Sequence, residues 1–435
     1  MFRYPRRLSV LLVSLLSLWF GSGLAAPRLN IEITGGVEGA QPIAIVPFGV
    51  SEGLIPPVDV AAVVSADLAR TGKFKPLPNR DMLDMPTTHE SVDLRDWRLL
   101  GMNSLVIGQI VPEGAGFQVS VTLYDVLRGD ELVKTSLAST KTGLRHAAHQ
   151  IADLIYEKLT GQRGVAATRI AYITSSGSGD KQTVTLRVAD ADGDQPQTIV
   201  SSAEPILSPA WSPDGRRIAY VSFENHRAGI YVQDLGSSHR DLVASYPGIN
   251  GAPAFSPDGQ RLAMTLSKDG NAEIYVLNLT TRELSRLTDH FAIDTEPAWS
   301  PDGQQIIFTS NRGGSPQIYR MSATGGAAQR ISLDGDYNAR ASYSPDGRSI
   351  VMVTRINGAF RIGVLDTERS TTRLISSGTL DESPSFAPNG SMVIYATEHG
   401  GRGVLAATAV EGGGNQRLSQ DAGQVREPAW SPFIQ

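Results

Sequence analysis

The sequence predicts a small α/β N-terminal domain followed by an all-β six-bladed β-propeller, its first blade closed by the C-terminal strand. Three observations carry this. A seven-residue corner, PAWSPDG at 209–215, returns as PAFSPDG (253–259), PAWSPDG (297–303), ASYSPDG (341–347), PSFAPNG (384–390) and, cut short, PAWSP (428–432). The copies start 44, 44, 44, 43 and 44 residues apart, a period that marks a propeller when its segments read as strands. The third is composition: 44 Gly and 25 Pro with only 19% charged residues suit a turn-rich β protein.

Within each repeat three runs follow the corner. RIAYVS (217–222), RLAMTL (261–266), QIIFTS (305–310), SIVMVT (349–354) and MVIYAT (392–397) come first. GIYVQDL (229–235), EIYVLNL (273–279), QIYRMSA (317–323) and RIGVLDT (361–367) come second, and shorter runs such as DLVAS (241–245) and RLISS (373–377) third. Their β-branched and aromatic bias and their length say strand. PAWSP is then the fourth strand and Pro-Asp-Gly its turn: Pro presets φ, Asp bonds nearby backbone, and Gly takes positive φ cheaply. Trp211, Phe255, Trp299, Tyr343, Phe386 and Trp430 are expected to pack between neighbouring blades. The phase decides closure. RIAYIT (169–174), TLRVADADG (185–193) and TIVSS (198–202) form a unit with no PAWSP before it, and the final PAWSP has no unit after it. Pairing the two leaves no free sheet edge inside the ring.

Ahead of the propeller, LNIEIT (29–34), PIAIVPFGV (42–50), SLVIGQIV (104–111), FQVSVTLYDV (117–126) and ELVKTSLAST (131–140) read as strands, and 59–72 and 144–161 as helices ending in Gly. This places a signal peptide at 1–25, the α/β domain at 26–163 and the propeller at 164–435, with 161–169 as linker. Arg3, Arg6 and Arg7, an apolar run from Leu8 to Phe20 and small residues after it form the secretory pattern, with the cut expected between Ala25 and Ala26. The run is short for a membrane span, so the mature chain is expected to be exported with no transmembrane segment. The chain has no cysteine, which excludes both a disulfide framework and a lipidated N-terminus. Net charge moves from −5 to −8 when the three leader arginines go (36 basic against 44 acidic residues), which argues against nucleic acid as a partner.

PIAIVPFG, ADLARTGKF, LVIGQI, YEKLTG, TRIAYIT, SPAWSPDGRRIAYVSFE, LDESPSFAPNG and the PAWSP terminus together resemble the TolB family, periplasmic components of the Tol-Pal cell-envelope system. The resemblance spans nearly the whole mature chain. It implies a scaffold that binds the peptidoglycan-associated lipoprotein Pal on the propeller and communicates with the inner-membrane proteins TolA, TolQ and TolR. It also implies a role in outer-membrane integrity and in constriction at division, and use by bacteriocin translocation segments in some members. It further implies that a short N-terminal segment, here Ala26, Pro27, Arg28, Leu29, Asn30, Ile31, Glu32 and Ile33, docks or is released and serves TolA. The second reading is a periplasmic propeller that binds a different protein or peptide.

Chemistry reads blandly. No G-x-S-x-G elbow exists and no hydrolase-sized segment remains, so a peptidase, the usual companion of such propellers, is not expected. No cofactor is expected. His146 and His149 are read as surface histidines without a third ligand, and Asp190, Asp192 and Asp194 as a hairpin turn, since Ser201 stands where a calcium loop needs an acid. An ion in the central channel stays open. Partner-binding residues are expected in the loops that lead into the PAWSP strands: Asn250, Gly251 and Ala252; Asp294, Thr295 and Glu296; Asn338 and Arg340; Asp381 and Glu382; and Arg426. Of these the resemblance points to Ala252, Thr295 and Glu296, and leaves the part played by Ile249 undecided.

Overall fold

The computed structural model describes residues 30–34, 39–412, 415–419 and 423–434. The expected signal peptide and Ala26–Leu29 lie outside the described residues. After β1 (Asn30–Thr34), the N-terminal domain is a mixed sheet of β2 (Gln41–Ile45), β3 (Gly49–Val50), β4 (Phe74–Pro76), β5 (Ser104–Glu113), β6 (Gly116–Asp125) and β7 (Glu131–Ser139). Its order is β4-β2-β5-β6-β7 with β3 beside β5, parallel around β2 and antiparallel from β5 to β7. Alternation along β2 sends Ile43 and Ile45 to α1 (Val60–Arg70) and α3 (Leu144–Thr160), and Ala44 and Val46 to the face of α2 (Leu94–Leu99) with its buried Trp97. Asp59 caps α1 by accepting from the Ala62 N–H at 3.0 Å, and Gly161 ends α3 at φ +75°. β4 and α2 were not expected from the sequence; three and six residues are too short to show a period.

Six four-stranded blades follow. Blade 1 is 197–202, 183–190 and 169–176 plus the C-terminal strand Gln424–Trp430, which pairs with Arg169–Ser176 as its innermost member. Blades 2 to 5 span 206–244, 250–286, 294–330 and 337–374, and blade 6 spans 382–419. The inner strands touch in a closed cycle, 424–430 contacting both 206–211 and 382–386. Each corner aromatic falls in an apolar cluster shared with the preceding blade: Trp211, Phe255, Trp299, Tyr343, Phe386 and Trp430. The indoles are also tied by hydrogen bonds. Trp299 Nε1 donates to the Ala254 carbonyl across one interface (3.1 Å), and Trp430 Nε1 to Thr168 Oγ1 (2.8 Å).

The corners stack as a stair. In four of them Ser Oγ donates to the Asp two residues on at 2.5–2.6 Å, as in Ser300–Asp302, while the Gly sits at φ +67° to +74° against the previous blade's Pro. The corner of blade 6, the fifth copy, carries Ala387 and Asn389 instead. Asn389 Nδ2 donates to the Arg163 carbonyl (2.7 Å), a bond that aspartate cannot make, and its carbonyl accepts from Gln162 Nε2 (2.7 Å). The departure from Asp to Asn is where the linker is stitched to the ring. One strand goes beyond the four-strand plan: β1 pairs antiparallel with Asn415–Ser419 and becomes the outermost strand of blade 6.

Candidate functional site at the channel mouth

The inner strands run from one end of the channel to the SPDG corners at the other. Every inner strand has a register shift at the same place. At that shift Ser208, Ala252, Glu296, Arg340, Ser383 and Glu427 all hold φ between +46° and +57°. Such backbone costs about 1 kcal/mol or more per non-glycine residue and persists only where its surroundings impose it. Six-fold recurrence makes it part of the scaffold, a bulge that turns this position toward the axis. Three of the six carry charge and meet there. Arg340 Nε lies 3.1 Å from Glu296 Oε1, and its guanidinium reaches past blade 6 to Glu427 at 3.6 Å and donates to Ser383 Oγ. Glu296 also accepts from Thr309 Oγ1 (2.9 Å). Burial pulls the Arg340 pKa down, but Glu427, Glu296 and Glu382 outweigh it and hold it above the usual arginine value.

The residues expected in loops are placed differently. Asn250, Asp294 and Glu382 begin inner strands, Asn338 is the second residue of its own and Asp381 stands just before one, so the expectation of loop positions is corrected. Asn250, Asp294, Asn338 and Asp381 are buried, and each is committed to partners in its own blade, the preceding blade or the connection between them. Asn250 exchanges hydrogen bonds with the Tyr246 backbone (2.7 and 2.8 Å). Asp294 pairs with Arg312 (2.6 Å), Asn338 donates to Gln317 (2.8 Å), and Asp381 accepts from Thr397 (2.6 Å) and the Gly378 N–H (3.0 Å). Their polar atoms hold the turns in shape. Gly251, Ala252, Thr295, Glu296 and Arg340 are half-buried, and Glu382 and Arg426 are exposed.

Sequence reading missed what surrounds them. Ile249 and Ile293 stand one residue before the buried anchors Asn250 and Asp294, and Leu380 before Asp381; each is 52% exposed, and Phe291 is 87% exposed. Between blades 2 and 3 a groove of about 450 Å³ opens at this end, lined by Leu207, Phe223, Ala228 and Ile249 among others. Exposed apolar side chains thus flank a charged throat at the entries to blades 3, 4 and 6.

Residues 29–132 match the TolB amino-terminal domain family and residues 156–434 the TolB beta propeller domain family. The chain belongs to the TolB family. It is 60% identical over 413 residues to the Tol-Pal system protein TolB of Thioalkalivibrio sulfidiphilus, covering 94% of this chain and 95% of that one. It is 61% identical over 407 residues to that of Nitrosococcus oceani, with 93% of each covered. Its fold matches the crystal structure of TolB from Acinetobacter baumannii with a TM-score of 0.87 and 41% identity, over 93% of this chain and all of that one. The chain is thus a Tol-Pal system component by family, and among the described residues no helix is long and apolar enough to cross a membrane.

Away from the channel, the TolB fold corrects the reading of the histidines. His146 is exposed as expected, but His149 is 1% exposed, pressed by α3 against the Asp190–Asp194 turn of blade 1. Asp67, His149 and Asp192 present ligand atoms within 4.8 Å of one another. Arg70 and Arg145 already seat on Asp67 and Asp192, so the cations at this place are the chain's own.

Proposed function

We propose that this chain is an exported, periplasmic, non-enzymatic binding scaffold of the Tol-Pal system, whose propeller holds a Pal-type lipoprotein at the channel mouth. Within this reading it maintains outer-membrane integrity and serves constriction at division, and its N-terminal segment, Ala26–Ile33, reports to a TolA-type inner-membrane protein. Bacteriocin translocation segments are candidate users of the same face. The single observation that carries the reading is the apolar rim of Ile249, Ile293, Leu380 and Phe291 beside the Arg340–Glu296–Glu427 throat. Exposed apolar patches rimmed by polar groups mark protein-binding faces. Gly251, Ala252, Thr295, Glu296, Arg340, Glu382 and Arg426 line or flank it and are proposed as contact or positioning residues. Asn250, Asp294, Asn338 and Asp381 hold the rim from beneath.

The test is binding of the purified periplasmic domain of a Pal-type lipoprotein, measured by calorimetry. Ile249→Asp with Phe291→Asp is expected to weaken binding at least about tenfold, since losing one buried anchor of an interface costs about 1–2 kcal/mol or more. Unchanged affinity in the double variant overturns the assignment of the face. Absence of any binding by the unaltered chain overturns the partner.

A further inference from the structure

The joint between the two domains gathers seven charged side chains. α1 gives Asp67 and Arg70, α3 gives Arg145 and His149, and the blade 1 turn gives Asp190, Asp192 and Asp194; four of these, Asp67, Arg70, His149 and Asp192, are buried. His146 and Asp153 of α3 and Arg169 at the start of blade 1 stand around them and feel the same charges. His149 Nδ1 is 2.5 Å from Asp67 Oδ2, while Nε2 faces Asp190 at 3.7 Å and Asp192 at 4.0 Å. Arg145 spans all three acids of the turn, 3.6 Å from Asp190, 3.0 Å from Asp194 and closer still to Asp192. Arg70 seats on Asp67 and lies 4.0 Å from Asp192, and its carbonyl accepts from Gln416 Nε2 of blade 6 (2.6 Å).

We propose that His149 is a pin of this joint that stays protonated at neutral pH, closing an ion-pair latch that fixes the N-terminal domain on blade 1. Carboxylates face both ring nitrogens, and a neutral imidazole has one N–H, so it would set a lone pair against an acid on one side. The imidazolium donates to Asp67 and turns a positive Nε2–H toward Asp190 and Asp192 as an ion pair, at 3.7 and 4.0 Å, without a hydrogen bond on that side. With it, three cations meet four carboxylates; without it, two do, and a buried surplus of negative charge is costly. Burial pulls the His149 pKa down, but Asp67, Asp190 and Asp192 outweigh it and push it up to about 10. A pKa raised above the free value near 6.5 stabilises fully below about pH 6.5 and is lost as pH rises through about 10. The latch is therefore closed through the neutral range and opens in alkali. An interdomain cleft of about 1440 Å³, lined by His146, His149, Asp153 and Asp190 among others, borders it and lets solvent reach the loosened joint. None of this depends on the partner proposed for the channel mouth.

Two measurements on the whole chain test it. Nitrogen-15 spectra of the histidine rings, with His149 assigned by its loss in His149→Gln, are expected to show both its nitrogens protonated at pH 8, and Asp67→Asn is expected to lower its titration by at least about one pH unit. A neutral ring at pH 8, or a titration unmoved by Asp67→Asn, overturns the pin. Proteolytic cleavage within the 161–168 linker reads the latch itself. Arg145→Gln is expected to speed cleavage about tenfold at pH 7.5, because unpairing one side of a buried ion network leaves the acids uncompensated. Cleavage of the unaltered chain is expected to rise between pH 8 and 10.5, with both domains still folded by circular dichroism. A rate insensitive to both the substitution and the pH overturns the latch, and this arm stands even where His149→Gln does not fold.

Discussion

Blades 1 and 6 each borrow a strand from an end of the described chain, and the two strands sit in opposite places. Gln424–Trp430 is the innermost strand of blade 1, paired with Arg169–Ser176 on one side and packed against the inner strands of blades 2 and 6. It buries Val425 and Trp430 and is tied outward by the Trp430 N–H to Ser385 Oγ (2.9 Å) and by the Arg169 N–H to Ser431 Oγ (3.0 Å). β1 is the outermost strand of blade 6, joined through five register positions on one side. A strand enclosed on every side is part of the cooperative fold, whereas one laid on a sheet edge is held by its ladder and whatever side contacts it finds. The same chemistry of pairing thus serves closure at one end and the cover of a sheet edge at the other.

The largest way to break this comparison is at the closure. Deleting 424–435 is expected to abolish cooperative folding of the propeller, since blade 1 loses its inner strand and blade 6 its neighbour. A single substitution grades the same effect. Trp430→Ala removes a 6%-exposed indole from the blade 1–blade 6 cluster and leaves Thr168 Oγ1 without its donor. It is expected to cost about 3–5 kcal/mol, read from the urea midpoint at constant m-value. A loss below about 1 kcal/mol would show that the ring closes by other means.

How far the sequence carried this follows from where the constraints are local. The corner is local chemistry: Pro, Asp and Gly at fixed offsets, repeated, so the count of blades and the offset that closes blade 1 are legible. The six positive-φ positions are not, because Ser208, Ala252, Glu296, Arg340, Ser383 and Glu427 share no residue type suited to that backbone; the bulge against the neighbouring strand imposes it. The polar residues Asn250, Asp294, Asn338 and Asp381 read as surface because burial of a polar group depends on partners such as Gln317 or Arg312 that only the fold brings near. The apolar rim is hidden for the converse reason, since an isolated Ile293 or Leu380 reads as core and Ile249 alone leaves its part undecided. His149 shows the same limit. Helical spacing marks the face it shares with Arg145, but not that blade 1 covers that face.

A middle-sized effect is expected where the linker meets blade 6. Asn389→Asp replaces a donor to the Arg163 carbonyl with a carboxylate that can only accept, and is expected to cost about 1–2 kcal/mol by urea unfolding. The same exchange reversed at the corner of blade 4, Asp302→Asn, keeps an oxygen for Ser300 Oγ and the Gln304 N–H, which now bond at 2.6 and 3.0 Å. It is expected to cost less than about 1 kcal/mol. Equal costs at both corners would mean that the departure in the corner of blade 6 has no role in holding the linker.

The smallest effect on stability is expected at β1, and it is the one that decides whether the comparison is about function. Removing residues 26–34 takes away a strand with one neighbour, so the urea midpoint is expected to move by less than about 1 kcal/mol equivalent, far below Trp430→Ala. The exposed Asn415–Ser419 ladder then becomes a free edge, and edges template pairing with other chains. Light scattering is expected to show concentration-dependent self-association that the full chain lacks, and calorimetry to show an altered affinity for the Pal-type domain. A midpoint shift as large as that of Trp430→Ala would place β1 in the cooperative core beside the closing strand. Unchanged stability, association and affinity together would leave β1 a strand that covers an edge without consequence. Only the combination of preserved stability with changed association and affinity fits a segment built to leave its blade.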